Sequence, residues 1–189
     1  GSDPGANASG AAERSDPTAA AVAVDDAGWA AAARAALVAA DAQLAARFDA
    51  DADIDRLLGD RAAAVDAQVL AAWQRCIPAD AGMALFAVGG YGRAELFPQS
   101  DVDLLVIAAP QAQAAHADAL ARLFAMLWDA GLPVGHAVRS IAQCAEAALA
   151  DITVLTAMLE ARTLVGGAAD RDALQAAVAP GVLWPARPF

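Results

Sequence analysis

The chain has 189 residues, a net charge of −11 and no lysine, so all 12 of its Lys/Arg positions are arginine. Hydrophobic residues make up 59% of it, but alanine supplies much of that share, and no apolar run reaches the ~18 residues of a membrane-spanning helix. An acidic chain without a basic patch is also poorly suited to DNA or RNA, whose affinity rests on phosphate neutralisation.

Residues 1–24 are rich in Ala, Gly, Ser, Asp and Pro with no periodic apolar face, which reads as a flexible tail. Their acidic, polar character lacks the basic and then apolar order of a secretory signal, and a cytoplasmic location is expected. Asp25 and Asp26 are placed to cap a helix over Ala27–Phe48, with Trp29, Leu37, Leu44 and Phe48 as its larger apolar residues. A second helix is expected over Asp53–Cys76, where Ile54, Leu57, Leu58, Val65, Val69, Leu70 and Trp73 recur near helical spacing; Ile77-Pro78 ends it. Residues 25–80 thus read as a helical extension, packed beside the sheet that follows.

From residue 81 onward the pattern changes. Met83–Val88 is a short apolar run stopped by glycines, a buried-strand signal. A second strand is expected over Val102–Ala108, a helix over Pro110–Ala130 closed by Gly131, and a third strand over Pro133–Arg139. Helices follow over Ile141–Ala150, Asp151–Leu164 and Asp170–Val178. This order predicts an α+β domain over residues 81–189, a small mixed sheet with helices packed on one face. Cys76 and Cys144 stand alone, without the flanking partners of a zinc site, and are expected to be buried thiols.

The segment between the first two strands carries the chemistry. Gly89, Gly90 and Gly92 lack a Cβ, so the backbone there can turn sharply and approach a ligand closely. Amides exposed in such a turn form an anion-binding concavity, and Arg93 adds a planar fork suited to phosphate oxygens. Asp101 and Asp103 lie at i and i+2 of the second strand and so share a face. Two adjacent carboxylates repel unless a cation sits between them, and Mg²⁺, often shared with substrate phosphates, is the natural occupant. Without lysine, the remaining positive contacts to phosphate must come from arginine and backbone amides.

The run Gly89-Gly-Tyr-Gly-Arg-Ala-Glu-Leu-Phe-Pro-Gln-Ser-Asp-Val-Asp-Leu-Leu105 resembles the nucleotidyltransferase superfamily of DNA polymerase β. More narrowly it is similar to the N-terminal domain of the bacterial PII uridylyltransferase/uridylyl-removing enzymes. Asp60–Asp66, Leu132–Arg139 and Asp151–Arg162 also match that family in order, so the resemblance covers approximately residues 30–167. It implies a polymerase β-like nucleotidyltransferase fold, and Mg²⁺-dependent transfer of UMP from UTP to a tyrosine of the PII nitrogen-signalling protein with release of pyrophosphate. Carried onto this chain, Asp101 and Asp103 would be the catalytic, metal-binding pair. Gly89 and Gly90 would hold the triphosphate, with Gly92, Arg93 and Ser100 as further nucleotide contacts. Glu95 is open between a ligand contact and a backbone cap. In the helix after Asp151, Thr153, Thr156, Glu160 and Arg162 are open between lining the site and belonging to a core helix.

One departure stands out. Many superfamily members carry a third carboxylate on a later strand, whereas Pro133–Arg139 holds none and places His136 and Arg139 there instead. His136 is read as structural or, alternatively, as a proton acceptor. No His-Asp metal motif for uridylyl removal and no tandem sensing domains are present, so a truncated relative that transfers but does not remove is expected. A protein adenylyltransferase of the same fold and a non-catalytic nucleotide-binding module are the alternative readings.

Overall fold

The computed structural model describes residues 24–185. The expected tail, Val24 apart, lies outside that range. Two long helices, α1 (Asp26–Asp49) and α2 (Ile54–Cys76), lead into strand β1 (Ala84–Ala87). One helical turn, α3 (Gly89–Gly92), and a loop then deliver the chain to β2 (Val102–Ile107). Helices α4 (Pro110–Ala115) and α5 (Ala117–Asp129) precede β3 (Val134–Arg139). After it come α6 (Ile141–Ala150), α7 (Ile152–Leu159), β4 (Arg162–Val165), α8 (Ala168–Ala177) and α9 (Pro180–Leu183).

The four strands form one mixed sheet in the order β3-β2-β1-β4. β1 runs antiparallel to both β2 and β4, while β2 and β3 are parallel. Period-2 alternation divides the strand side chains between two layers. Leu85, Ala87, Leu104 and Val106 join Val65, Val69 and Trp73 of α2 and Leu123, Phe124 and Leu127 of α5 in one core. Phe86 and Leu105 instead meet Cys144 of α6, Leu155 and Met158 of α7 and Leu174 of α8 in a second. Helices therefore cover both faces of the sheet, not one as the sequence pattern suggested. α2, from the helical extension, shares its core with the sheet.

Two helix boundaries also differ from the sequence reading. The expected Pro110–Ala130 helix is interrupted at His116, whose φ of −114° ends α4 and precedes α5. The expected Asp151–Leu164 helix stops at Leu159, and residues 162–165 pair with β1 in the register Ala87↔Arg162, Phe86↔Thr163 and Leu85↔Val165. Sheet pairing overrides the helical spacing there, helped by the β-branched Thr163 and Val165.

α1 docks in an unexpected way. Its buried residues are Ala30 and Ala33, whereas Phe48 is 58% exposed. Charged contacts supply much of the specificity: Arg61 donates to Asp41 at 2.9 Å, Arg47 to Asp60 at 2.6 Å, and Arg34 to the Asp129 carbonyl at 2.6 Å. Asp26 receives both Arg122 Nε at 2.6 Å and Arg75 Nε at 2.9 Å. These guanidiniums, Arg122 first, hold the Asp26 carboxyl far below the usual carboxylate range. A depressed pKa contributes stability that is present above the unfolded value, about 3.9, and is lost as pH falls through the folded one. Asp26→Asn is therefore expected to lower Tm at pH 7, with the gap to the parent narrowing as the scan buffer is taken below about pH 4.

Candidate functional site

β2 positions Asp103 in a cleft on the α7 side of the sheet. Leu105 points into the α7 core, so Asp103, two residues earlier, faces the same side. Asp101 precedes the strand and is exposed, while Asp103 is partly buried. The Asp103 carboxylate fits between two glycine α-carbons. A Cβ built on Gly89 of α3 would lie 3.4 Å from its Oδ2, and one built on Gly135 of β3 only 2.7 Å from its Oδ1. Gly89 also adopts a φ of +62°, a left-handed conformation open to glycine at little cost. Burial, and then the neighbouring Asp101 charge, push the Asp103 carboxyl above its ordinary value. This is an acid whose ionised form the fold disfavours.

The Gly-Gly segment is a single helical turn instead of a plain loop. Gly92 and Arg93 N–H donate back to the Val88 and Gly89 carbonyls at 3.1 Å, leaving the first-turn amides of Gly89, Gly90 and Tyr91 without helical acceptors. The Val88 N–H donates to the Asp103 carbonyl at 3.0 Å, tying this turn to the carboxylate strand. Gly92 has a different role from its neighbours: it is packed against the carbonyls of Glu160 and Ala87, which leave no room for a Cβ. Between the turn and Asp101, Ala94 (φ +56°) and Gln99 (φ +65°) are held in left-handed conformations, and Leu96, fully buried, pins this loop to the core. Non-glycine residues in that region store strain that the surroundings must offset.

The structure separates the remaining candidates. Arg93 is already engaged, donating to Glu95 Oε2 at 3.0 Å and Glu160 Oε2 at 2.6 Å, so Glu95 and Glu160 serve as its counter-ions. Ser100 sits just before Asp101, its N–H donating to the Phe97 carbonyl at 3.1 Å. Arg162 opens β4 and is spent inside the fold, on Asp66 and the Tyr91 carbonyl. Thr153 lines the cleft and donates its hydroxyl to Asp151 at 2.7 Å, and Thr156 donates to the Ile152 carbonyl at 2.9 Å. His136 faces away from Asp103: its ring stacks on Phe124 of α5 at 3.9 Å between centroids.

Arg139 is the residue to which sequence reasoning gave no role. It lies on the Asp103 face of β3, two registers beyond Ala137. With Asp103, Gly135, Thr153, Val154 and Met158 it lines an open cleft of about 280 Å³. No ion pair engages it among the described residues, unlike Arg93 and Arg162. The available signal was its position: an arginine four residues after Gly135, an even spacing, on the strand paired with β2 shares the Asp103 face. Among the described residues, no group of three or more His, Cys, Asp or Glu side chains gathers to hold a metal ion. No described helix is long and apolar enough to cross a membrane.

A small mixed sheet with helices on both faces thus bears a glycine turn beside Asp103, with Asp101 just before the same strand. No family model matches the chain. Individual proteins do. Over 178 residues, 94% of the chain, it is 60% identical to a protein of Xanthomonas campestris pv. campestris (strain 8004) named bifunctional uridylyltransferase/uridylyl-removing enzyme, 20% of whose length is covered. Proteins of the same name are 58% identical over 178 residues in Xanthomonas oryzae pv. oryzae (strain MAFF 311018) and 44% identical over 144 residues in Pseudomonas putida (strain W619). The chain belongs to this uridylyltransferase/uridylyl-removing enzyme family, and spans about 20% of the length of the Xanthomonas relatives it matches.

Proposed function

We propose that this segment carries the nucleotidyl-transfer centre, moving UMP from UTP to a tyrosine hydroxyl of the PII signalling protein and releasing pyrophosphate. The observation that carries the reading is the Asp103 carboxylate seated between Gly89 and Gly135, next to Asp101 and the glycine turn. Asp101 and Asp103 would hold Mg²⁺. The donor set fits, because a partly buried carboxylate beside an exposed one, with no group of three or more His, Cys, Asp or Glu gathered among the described residues, matches an ion that takes one or two carboxylates and completes its shell with phosphate and water. When bound, the ion would neutralise charge on the phosphates through an in-line displacement.

The protein's own groups supply positioning. The amides of Gly89 and Gly90 would donate to phosphate oxygens, and Ser100, next to Asp101 in the chain, would add a further contact. Gly92 acts by letting the turn pack closely. Strand β3 offers no Asp or Glu, and His136 is stacked on the opposite face, so no general base comes from that strand.

Arginine use divides the candidates further. Arg139 has no ion-pair partner among the described residues, whereas Arg93 must first exchange two carboxylates. A hydrogen bond to a charged group contributes ~1.5–3 kcal/mol, so Arg139→Ala is expected to weaken Mg²⁺–UTP binding by about 10- to 100-fold. Arg93→Ala should weaken it by less than about 10-fold, since its ligand contact replaces existing ion pairs. Isothermal titration of both variants tests that order.

The reading itself is tested by incubating the chain with PII, Mg²⁺ and each nucleoside triphosphate in turn, followed by intact-mass analysis. A UMP adduct formed from UTP is expected. An AMP adduct formed only from ATP would replace the reading with protein adenylylation, and UTP binding without any adduct would reduce the chain to a nucleotide-binding module.

A further inference from the structure

The turn beside Asp103 has one side chain with which to hold itself in place. Three of the four α3 residues are glycine, and the fourth, Tyr91, is completely buried. Its hydroxyl donates to Asp66 Oδ1 of α2 at 2.5 Å. Arg162, at the start of β4, closes the arrangement. Its Nη1 donates to Asp66 Oδ2 at 2.6 Å, and its Nη2 to Asp66 Oδ1 at 3.2 Å and to the Tyr91 carbonyl at 3.0 Å. The guanidinium carbon also lies 5.2 Å from the centre of the Tyr91 ring. Arg162 Nε has no partner, so the two Nη groups carry the whole attachment.

We infer that Asp66, Tyr91 and Arg162 form a clamp of positioning residues that fixes the Gly89–Gly92 turn relative to Asp103. The inference rests on the transferase reading for its functional consequence, but not for its geometry. Asp66 sits on a helix and Arg162 on a strand, both rigid elements with buried neighbours. Tyr91 is tied to Asp66 through its hydroxyl and to Arg162 through its carbonyl, which fixes the orientation of the one anchored residue in the turn. Gly92, pressed on the Glu160 and Ala87 carbonyls, seals the other side. The turn then meets β2 through Val88 N–H and the Asp103 carbonyl. Releasing the clamp should loosen the turn while leaving both hydrophobic cores intact.

Two mild variants test this on the whole chain. Tyr91→Phe keeps the ring and removes the hydroxyl. Arg162→Lys keeps the charge but cannot bridge carboxylate and carbonyl with a planar fork. Hydrogen exchange of the Gly92, Arg93 and Glu95 amides is expected to accelerate by about 10-fold or more in both, with Leu104, Leu105 and Val106 unchanged. The Kd for Mg²⁺–UTP should rise by about 10-fold in the same samples. Equal acceleration across β2 and the turn would mark a purely structural role and overturn the inference, as would unchanged exchange in the turn with an unchanged Kd. If the parent chain fails to bind Mg²⁺–UTP, the transferase reading fails instead, and the exchange rates alone then decide whether the clamp exists.

Discussion

Asp103→Asn is expected to abolish uridylyl transfer while leaving the fold as stable as before, or more so. On the proposed reading, a cation held by this carboxylate would contribute several kcal/mol of charge stabilisation in the transition state, so loss of its ligand should cost about a thousand-fold or more in kcat. Stability should move the other way. Burial and the Asp101 charge raise the Asp103 pKa in the folded chain. A raised carboxyl pKa gives stability below the unfolded value, and that contribution is lost as pH rises through the folded one. At neutral pH the ionised group therefore opposes folding, and the neutral amide removes the opposition. Added Mg²⁺–UTP should raise the Tm of the parent chain by mass action and leave that of the variant unmoved. Thermal scans with and without nucleotide, beside initial-rate kinetics, check all three outcomes.

Gly92→Ala is expected to have the largest effect on the fold among the glycine substitutions. The added methyl meets the Glu160 carbonyl and lies 2.9 Å from the Ala87 carbonyl. Both are backbone atoms of packed elements, so neither yields as the end of a flexible side chain would. Such overpacking costs ~1–3 kcal/mol, and at this size that lowers Tm by roughly 2–12 °C. Gly59→Ala on α2 is the matching control. No atom lies within 4 Å of its added Cβ, and replacing glycine inside a helix contributes about 0.5–1 kcal/mol of stability. Denaturant melts of the two proteins should therefore shift in opposite directions.

Much of this architecture was legible in the residues. Alternation placed Asp103 on the Leu105 side of β2, and glycine content located the turn next to it, while Asp101 lies just before the strand. Apolar spacing found α2 and α5, which form most of one core. The misses share a cause: they depend on partners far away in the chain. Residues 162–165 have helical spacing, yet pairing with β1 and the Arg162–Asp66 contact make them a strand. Phe48 looked like a core residue, but α1 approaches its neighbours through alanines and leaves that ring exposed. Arg93 looked free, and only the folded chain brings Glu160 to it. Its converse, Arg139, stands in the cleft without an ion-pair partner among the described residues. The matches around Asp66, Tyr91 and Arg162 lay in separate stretches of sequence, and folding joins them into one buried cluster.

The central claim, that the carboxylate pair beside the glycine turn transfers UMP to a protein hydroxyl, has one direct test. The chain is mixed with PII, UTP and Mg²⁺, and the acceptor is read by intact mass and then by peptide mapping. A UMP adduct on a PII tyrosine, present with the parent chain and absent with Asp101→Asn, is the predicted result. An adduct that forms equally with Asp101→Asn, or none with a parent chain that binds Mg²⁺–UTP, would contradict it.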